Sequence, residues 1–328
     1  MSRESHVKVN SNFKNWLWRS LTIFVLLGIV AGLWIATKRI DYTWRWNRIP
    51  QYFAYNSEDV KKVDFDGHIT KIDKKGSLTT VTVKNDIGGE TSSFIIDTKT
   101  ANISVDEYLM EGDTVGSTRE WKAGPLAHGL WVTLWISAVA SVIGLVIGVI
   151  TGLCRVSQNL TLRQLSITYI EIIRGTPLLV QLFIFYFFLG TVLNIGRLPS
   201  GIFALGIFAG AYVAEIIRAG IQSISKGQME AARSLGMNVP QSMVYIILPQ
   251  AFKRTLPPLA GQFISLIKDS SLVSVIAITD LTKSGREVIT STFAVFEIWF
   301  VVAFLYLILT FTLSQVVAWV ERRLAVSD

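Results

Sequence analysis

Four consecutive polar residues, Lys268-Asp269-Ser270-Ser271, interrupt an otherwise apolar stretch from Leu259 to Ile278. A charged side chain inside hydrocarbon costs at least about 3 kcal/mol unless it faces a wet cavity or a partner. An amino group, a carboxylate and two hydroxyls in a row offer an anion site and a cation site to a small zwitterion. Local unwinding there would also free backbone groups for a polar ligand. The plainer alternative is an internal Lys268–Asp269 pair that only holds a kink. A second polar group, Glu230-Ala231-Ala232-Arg233-Ser234-Leu235-Gly236, is followed after nine residues by Ile246-Ile247-Leu248-Pro249. Glu230 to Leu235 are strong helix formers, and Gly236 stands where a helix ends on a left-handed residue. Met237 to Leu248 reads as a second amphipathic helix, ended by Pro249 and the Pro257-Pro258 pair. Together they predict a helix-turn-helix elbow shaped to dock into something else, against the plainer alternative of an ordinary loop. Two i,i+3 pairs, Glu171 with Arg174 and Glu215 with Arg218, can neutralise one another on a helix face, and structural locking is the favoured role.

The elements that must hold these groups are membrane helices. The chain has 328 residues, 51% of them hydrophobic, and a mean hydropathy of +0.45. Several runs reach the roughly 18 to 20 residues that cross a bilayer. The net charge of +7 does not indicate nucleic-acid binding, because it is divided by region. Residues 41–125 hold 14 of the 24 acidic side chains and 11 of the 31 basic ones, leaving a balance of +10 for the rest. The single cysteine, Cys154, cannot form an internal disulfide and reads as a small side chain at the end of an apolar helix.

Residues 1–19 are polar, and 20–37 form a charge-free apolar run bracketed by Trp18 and Trp34. No small-residue cleavage site follows, so this is a retained helix, not a signal peptide. In 41–125, short β-prone runs (63–65, 69–72, 78–83, 94–96) alternate with turn pairs such as Asp66-Gly67, Lys75-Gly76 and Gly88-Gly89, predicting a small β domain. His68 has no partner at ligand spacing, and no metal site is expected. Five further helices follow over 129–153, 165–193, 201–223, 259–278 and 294–320. In the first of them Ala138, Ser141, Gly144 and Gly148 suit close packing. Gly175 and Pro177 predict a kink or tight crossing, 280–287 a polar turn, and Glu297 a carboxylate complementing the start of the last helix.

Charge then sets the topology. With 225–256 cytoplasmic, alternation places 1–19, 155–163 and the C-terminus on the same side, and these segments carry most of the flanking Lys and Arg. The short opposite loops carry only Arg197, Lys283 and Arg286, so the β domain is expected outside the cytoplasm.

Several segments together resemble the membrane subunits of polar amino-acid ABC importers. They are Gly129-Leu-Trp-Val-Thr-Leu134, Tyr169-Ile-Glu-Ile-Ile-Arg-Gly-Thr-Pro-Leu-Leu-Val-Gln181, Ala211-Tyr-Val-Ala-Glu-Ile-Ile-Arg-Ala-Gly220, the elbow, and Ile267-Lys-Asp-Ser-Ser-Leu-Val-Ser-Val275. The likeness runs from about 128 to 323, and the Arg-Gly-Thr-Pro-Leu-Leu-Val-Gln stretch narrows it towards amino acids. The expected fold class is an all-α polytopic membrane protein: a five-helix type I importer core over 128–323, one extra N-terminal transmembrane helix, and an inserted small β domain. The resemblance implies that Glu230, Ala231, Ala232 and Gly236 couple to an ATPase, with Lys268, Asp269, Ser270 and Ser271 as substrate-pathway candidates. The implied partners are an ABC ATPase dimer, an extracytoplasmic solute-binding protein, and a second permease copy or a homologous permease, but no nucleic acid. No P-loop G-x-x-x-x-G-K-[ST] is present, so the chain is not expected to be an enzyme or to bind a cofactor itself; ATP belongs to the partner. The expected location is a bacterial plasma membrane (inner membrane if Gram-negative), with multiple passes and both termini cytoplasmic. Two rivals remain at this stage. A secondary carrier or channel without an ATPase should show internal repeats with paired broken helices, and only one strong interruption is evident. A membrane-anchored sensor would not need five polar-interrupted helices.

Overall fold

The computed structural model describes residues 11–39, 42–101 and 103–325. Of the segment expected to be cytoplasmic at the N-terminus, residues 1–10 lie outside the described residues. The chain divides into two units, Met1–Trp46 and Asn47–Asp328. In the first, helix α1 (Ser11–Arg39) is long and apolar enough to cross a membrane. Near its end the Lys38 ammonium lies 4.1 Å from the Trp34 ring centroid, an aromatic and basic pairing of the kind found at lipid–water interfaces.

The second unit opens with a β module, which corrects the all-α class. Among the described residues six strands form two sheets: β1 (Ala54–Lys62) pairs antiparallel with β6 (Thr114–Ala123), while β4 (Thr91–Asp97), β3 (Leu78–Asn85), β2 (Gly67–Lys75) and β5 (Tyr108–Leu109) lie in that order. The chain is an α-helical core with a sizeable β module. Strand β3 shows why: Thr79, Val81 and Val83 alternate inward at period two. With Val63, Ile69, Ile96, Leu109 and Val115, Val81 and Val83 close a core of their own. Gly76, Gly89 and Gly112 take positive φ at the turns between strands. Ala54 pairs with Ala123 and the Gly124 N–H donates to Phe53 O at 2.7 Å, so the module leaves and returns to the core at one place. There Tyr52 is packed with Leu126, Leu281 and Ile298.

The core is built from α2 (Pro125–Arg155), α3 (Leu160–Gly175), α4 (Leu178–Phe183), α5 (Arg197–Gln222), α6 (Lys226–Ser234), α7 (Val239–Ser242), α8 (Leu248–Asp269), α9 (Leu281–Thr292) and α10 (Val295–Ala325). Among the described residues of the whole chain, five helices are long and apolar enough to span a membrane, or six if a bent pair counts as one span. Helices α2 and α5 form its centre. The buried small stripe of α2 is Ser137, Ala140, Gly144, Gly148 and Gly152, one register away from the Ala138 and Ser141 read from sequence. A Cβ on Gly148 would run into Val213 and sit 2.8 Å from Gly210 O, so close approach of the two backbones requires glycine there.

Three sequence-based boundaries need correction. The helix expected over 165–193 is two: α3 and α4 meet at 104° across Thr176 and Pro177, and α4 runs on as a π-helical turn to Gly190. The prolines expected to end the elbow do not. Pro249 lies where the π-helical turn Met243–Ile247 runs on into α8, and Pro257 and Pro258 lie inside α8. Membrane helices tolerate such residues because neighbouring groups take up the freed carbonyls. The polar turn expected at 280–287 is helix α9, because Asp280 caps it, accepting from Thr282 N at 3.2 Å and Lys283 N at 2.9 Å.

Candidate solute pathway and docking elbow

Helix α8 ends at Asp269, and Ser270–Ile276 continue as a 3₁₀ helix that stops on Ala277 in the left-handed region, φ +62°. The polar run therefore sits on the switch between two helix types. Ser270 is fully buried and its hydroxyl donates to Ile267 O at 2.7 Å, so it serves the switch itself. Lys268 and Ser271 instead line a cavity of about 340 Å³ with Thr282, Trp299, Val302, Ala303 and Tyr306. Asp269 is half-buried and does not line it. No ion pair joins Lys268 to Asp269 among the described residues.

Behind the cavity lies a chain of polar groups. Thr282 Oγ1 and Tyr306 OH are 3.1 Å apart, Tyr306 OH donates to Asp280 Oδ2 at 3.4 Å, and Leu281 N donates to Thr133 Oγ1 at 3.0 Å. Asp280 is fully buried, and burial pushes its carboxyl above the usual range, against the lowering by the N–H groups of Lys283 and Thr282. Sequence reasoning missed Thr282, Trp299 and Tyr306. Aromatic residues in an apolar helix carry no mark of facing a cavity, and Thr282 lay in a stretch read as a turn.

The break between α3 and α4 has its own hydrogen-bond donor. Pro177 has no N–H, so the Ile173 carbonyl loses the partner four residues on. The buried Gln181 supplies one: its Nε2 lies 2.7 Å from Ile173 O, 3.1 Å from Thr176 O and 2.8 Å from Thr176 Oγ1. The expected charge pairs divide. Glu215 holds Arg218 and also Arg155, at 2.9 Å, while Arg218 further bonds Gln222. Glu171 and Arg174 form no ion pair among the described residues; the Arg174 guanidinium lies over Tyr212, 5.1 Å from its centroid.

The elbow is fixed at both sides of its corner. Helix α6 is capped by Ser225, whose hydroxyl accepts from Gly227 N at 3.3 Å. It closes with Gly236 at φ +87°, where Gly236 N donates to Arg233 O at 3.1 Å and Met237 N to Ala232 O at 3.2 Å. This paired bonding is a Schellman motif, and it requires a residue that adopts positive φ freely. Asn238 and Gln241 then exchange 2.9 Å bonds as a capping box that starts α7. Ala232 is buried, against Glu230 and Ala231 exposed on the outer face. Leu235 and Tyr245 are 84% and 70% exposed, an apolar surface at a polar corner.

Comparison with known proteins fits this arrangement. Over 164 residues the chain is 48% identical to the probable glutamine ABC transporter permease protein GlnM of Bacillus subtilis (strain 168), covering 50% of this chain and 76% of that one. Over 210 residues it is 41% identical to the glutamine transport system permease protein GlnP of Escherichia coli (strain K12), covering 63% and 96%. A crystal structure of an amino acid ABC transporter with histidines aligns at TM-score 0.58 and 41% identity, covering 61% of this chain and 94% of that one. At 22% identity and TM-score 0.55, the inward-facing MetNI methionine ABC transporter shares the fold. Residues 144–326, which include both the elbow and the polar break, match the family model described as binding-protein-dependent transport system inner membrane component, and the chain belongs to that family of multi-pass membrane proteins.

Proposed function

We propose that the chain is the permease subunit of an ATP-driven ABC importer that moves amino acids, polar ones above all, into the cytoplasm. The observation that carries this reading is the 41% identity to a named glutamine permease across 96% of that protein's length. In this reading the elbow at 225–256 lies on the cytoplasmic side. Glu230 and Ala231 dock into an ABC ATPase dimer, Ala232 packs inward, and Gly236 holds the corner. The cavity at Lys268 and Ser271 is part of the solute path. There the Lys268 ammonium meets the substrate carboxylate, with Ser271, Thr282 and Tyr306 as further hydrogen-bonding groups. A second permease copy, or a homologous permease, closes the path from the other side. The β module at 41–125 stands outside the cytoplasm, where it helps to receive a solute-binding protein. ATP is bound and hydrolysed by the partner subunit, and both termini of this chain are cytoplasmic.

The test is reconstitution of the purified permease with its ATPase and binding protein in vesicles, followed by uptake of labelled glutamine and cystine. Uptake that requires both ATP and the binding protein supports the reading. Uptake driven by an ion gradient without ATP would move the protein to the secondary carriers instead.

A further inference from the structure

A concentration of basic side chains in the core lies away from the solute cavity. We infer that the cavity enclosed by the ends of α2 and α5 and the start of α6 is a binding site for a phosphate group, carried by an anionic lipid headgroup or free in solution. Its volume is about 650 Å³, and Arg155, Arg163, Arg218 and Lys226 all line it. Glu215 is the one acid paired with these cations among the described residues, and it holds Arg155 and Arg218 from behind. Neither Arg163 nor Lys226 has an ion-pair partner among the described residues, and both are exposed. Four cations and one anion leave a local excess of three positive charges.

Glu215 and Gln222 hold the Arg218 guanidinium and Arg155 lies 2.9 Å from Glu215, so both inner charges are fixed in the wall, while the exposed Arg163 guanidinium offers a planar fork that matches phosphate oxygens. Ser225 and Lys226 at the start of α6 also line the cavity, so the positive end of that helix adds to the field. Arg155 and Gln222 are the last residues of two spans, which puts the opening level with lipid headgroups. Ile167, Met243 and Ile247 give it an apolar wall suited to the upper part of an acyl chain. Basic pockets between membrane helices capture anionic headgroups by this combination. The site does not depend on which solute is carried or on which face is cytoplasmic.

The experiment uses the purified full-length transporter in nanodiscs of neutral phosphatidylcholine. One arm adds cardiolipin and the other inorganic phosphate, with melting temperature and bound lipid in native mass spectra as readouts. R163Q/K226Q should weaken the response roughly 30-fold, taking about 1 kcal/mol for each basic group at a membrane surface. It should melt as wild type before any anion is added. R163K/K226R, which keeps both charges, should retain the response and checks a variant that folds poorly. A wild-type response to cardiolipin alone assigns the site to the headgroup. A response to phosphate as well assigns it to free anions. No response in either arm, or an equal response in R163Q/K226Q, overturns the inference.

Discussion

Replacing Gln181 by Met keeps the length of a buried side chain and removes only its hydrogen bonding. The wild-type amide nitrogen serves Ile173 O, Thr176 O and Thr176 Oγ1 with two hydrogens, so two net bonds are lost, at about 1 kcal/mol each. The Ile173 carbonyl is then left beside a proline that cannot serve it. Against this, Gln181 Oε1 is buried without a partner among the described residues, and removing it returns about 1 kcal/mol. The net loss is about 1–2 kcal/mol, or a fall of roughly 2–8 °C in melting temperature for a core of this size. Gln181→Glu should be worse, because it also buries a charge that cannot donate. Thr176→Val, which removes one acceptor of the three, should be milder. Melting of each variant in detergent, beside uptake in vesicles, gives the order. If Gln181→Met melts as wild type does, the amide is incidental to the 104° break and the donor-replacement argument fails.

Gly236→Val places a β-branched residue at φ +87°, where L side chains are strained, and should reduce ATPase association or uptake while the helices still insert; normal ATP-driven transport by this variant would remove the elbow from coupling. Lys268→Met should cut uptake yet change stability by less than about 0.5 kcal/mol, since no ion pair is broken, and early melting in detergent would instead make Lys268 structural. Gly148→Leu drives a side chain into Val213 and should destabilise the α2–α5 contact by about 1–3 kcal/mol or more, seen as lost folded yield on size exclusion. Asp280 has a raised carboxyl pKa when folded, so its contribution is complete below the unfolded value of 3.8 and is lost as pH rises through the folded value. Asp280→Asn keeps a capping acceptor without the charge and should flatten that part of the stability profile; superimposable melting-versus-pH curves would refute the assignment.

The sequence marked positions where a local rule is broken and was silent where none is. Gly236 could be placed because a helix of strong formers ending in glycine has one common geometry, and the polar run at 268–271 because charge inside hydrocarbon has to be explained. The 104° break was half visible: Gly175 and Pro177 signal a kink, but its size depends on Gln181 reaching back, which is a tertiary fact. Pro249, Pro257 and Pro258 misled for the converse reason, since a bundle can satisfy carbonyls that an isolated helix cannot. Strand β1 was missed because Ala54–Lys62, with its Asn, Ser, Glu and Asp, lacks β-prone composition and is ordered by its ladder with β6. Trp299 and Tyr306 carry no signal at all, because in a membrane helix an aromatic side chain facing a cavity is written like one facing lipid.

Helix α8 connects the two sites at which function is proposed. Its first turn follows the elbow through the π-helical turn Met243–Ile247, and its last residue, Asp269, opens the polar switch. Its 22 residues extend about 33 Å at 1.5 Å per residue, about the thickness of the hydrocarbon core. A helix of that length is stiff along its axis, so a displacement imposed at the capped corner reaches Lys268 with little loss unless the helix bends on the way. Pro257 and Pro258 lie between, and each omits one backbone hydrogen bond, so any bending is expected there. On the proposed function, a displacement at Glu230 would be delivered to the Lys268 cavity partly as translation and partly as rotation about the proline pair. Pro257→Ala with Pro258→Ala restores both donors and stiffens the helix. If the prolines act as the hinge, the double variant should fold at least as stably as wild type and leave ATP hydrolysis by the partner ATPase unchanged, yet transport less solute per ATP. Unchanged transport per ATP would mean that the push travels as rigid translation and that the prolines only shape the resting helix.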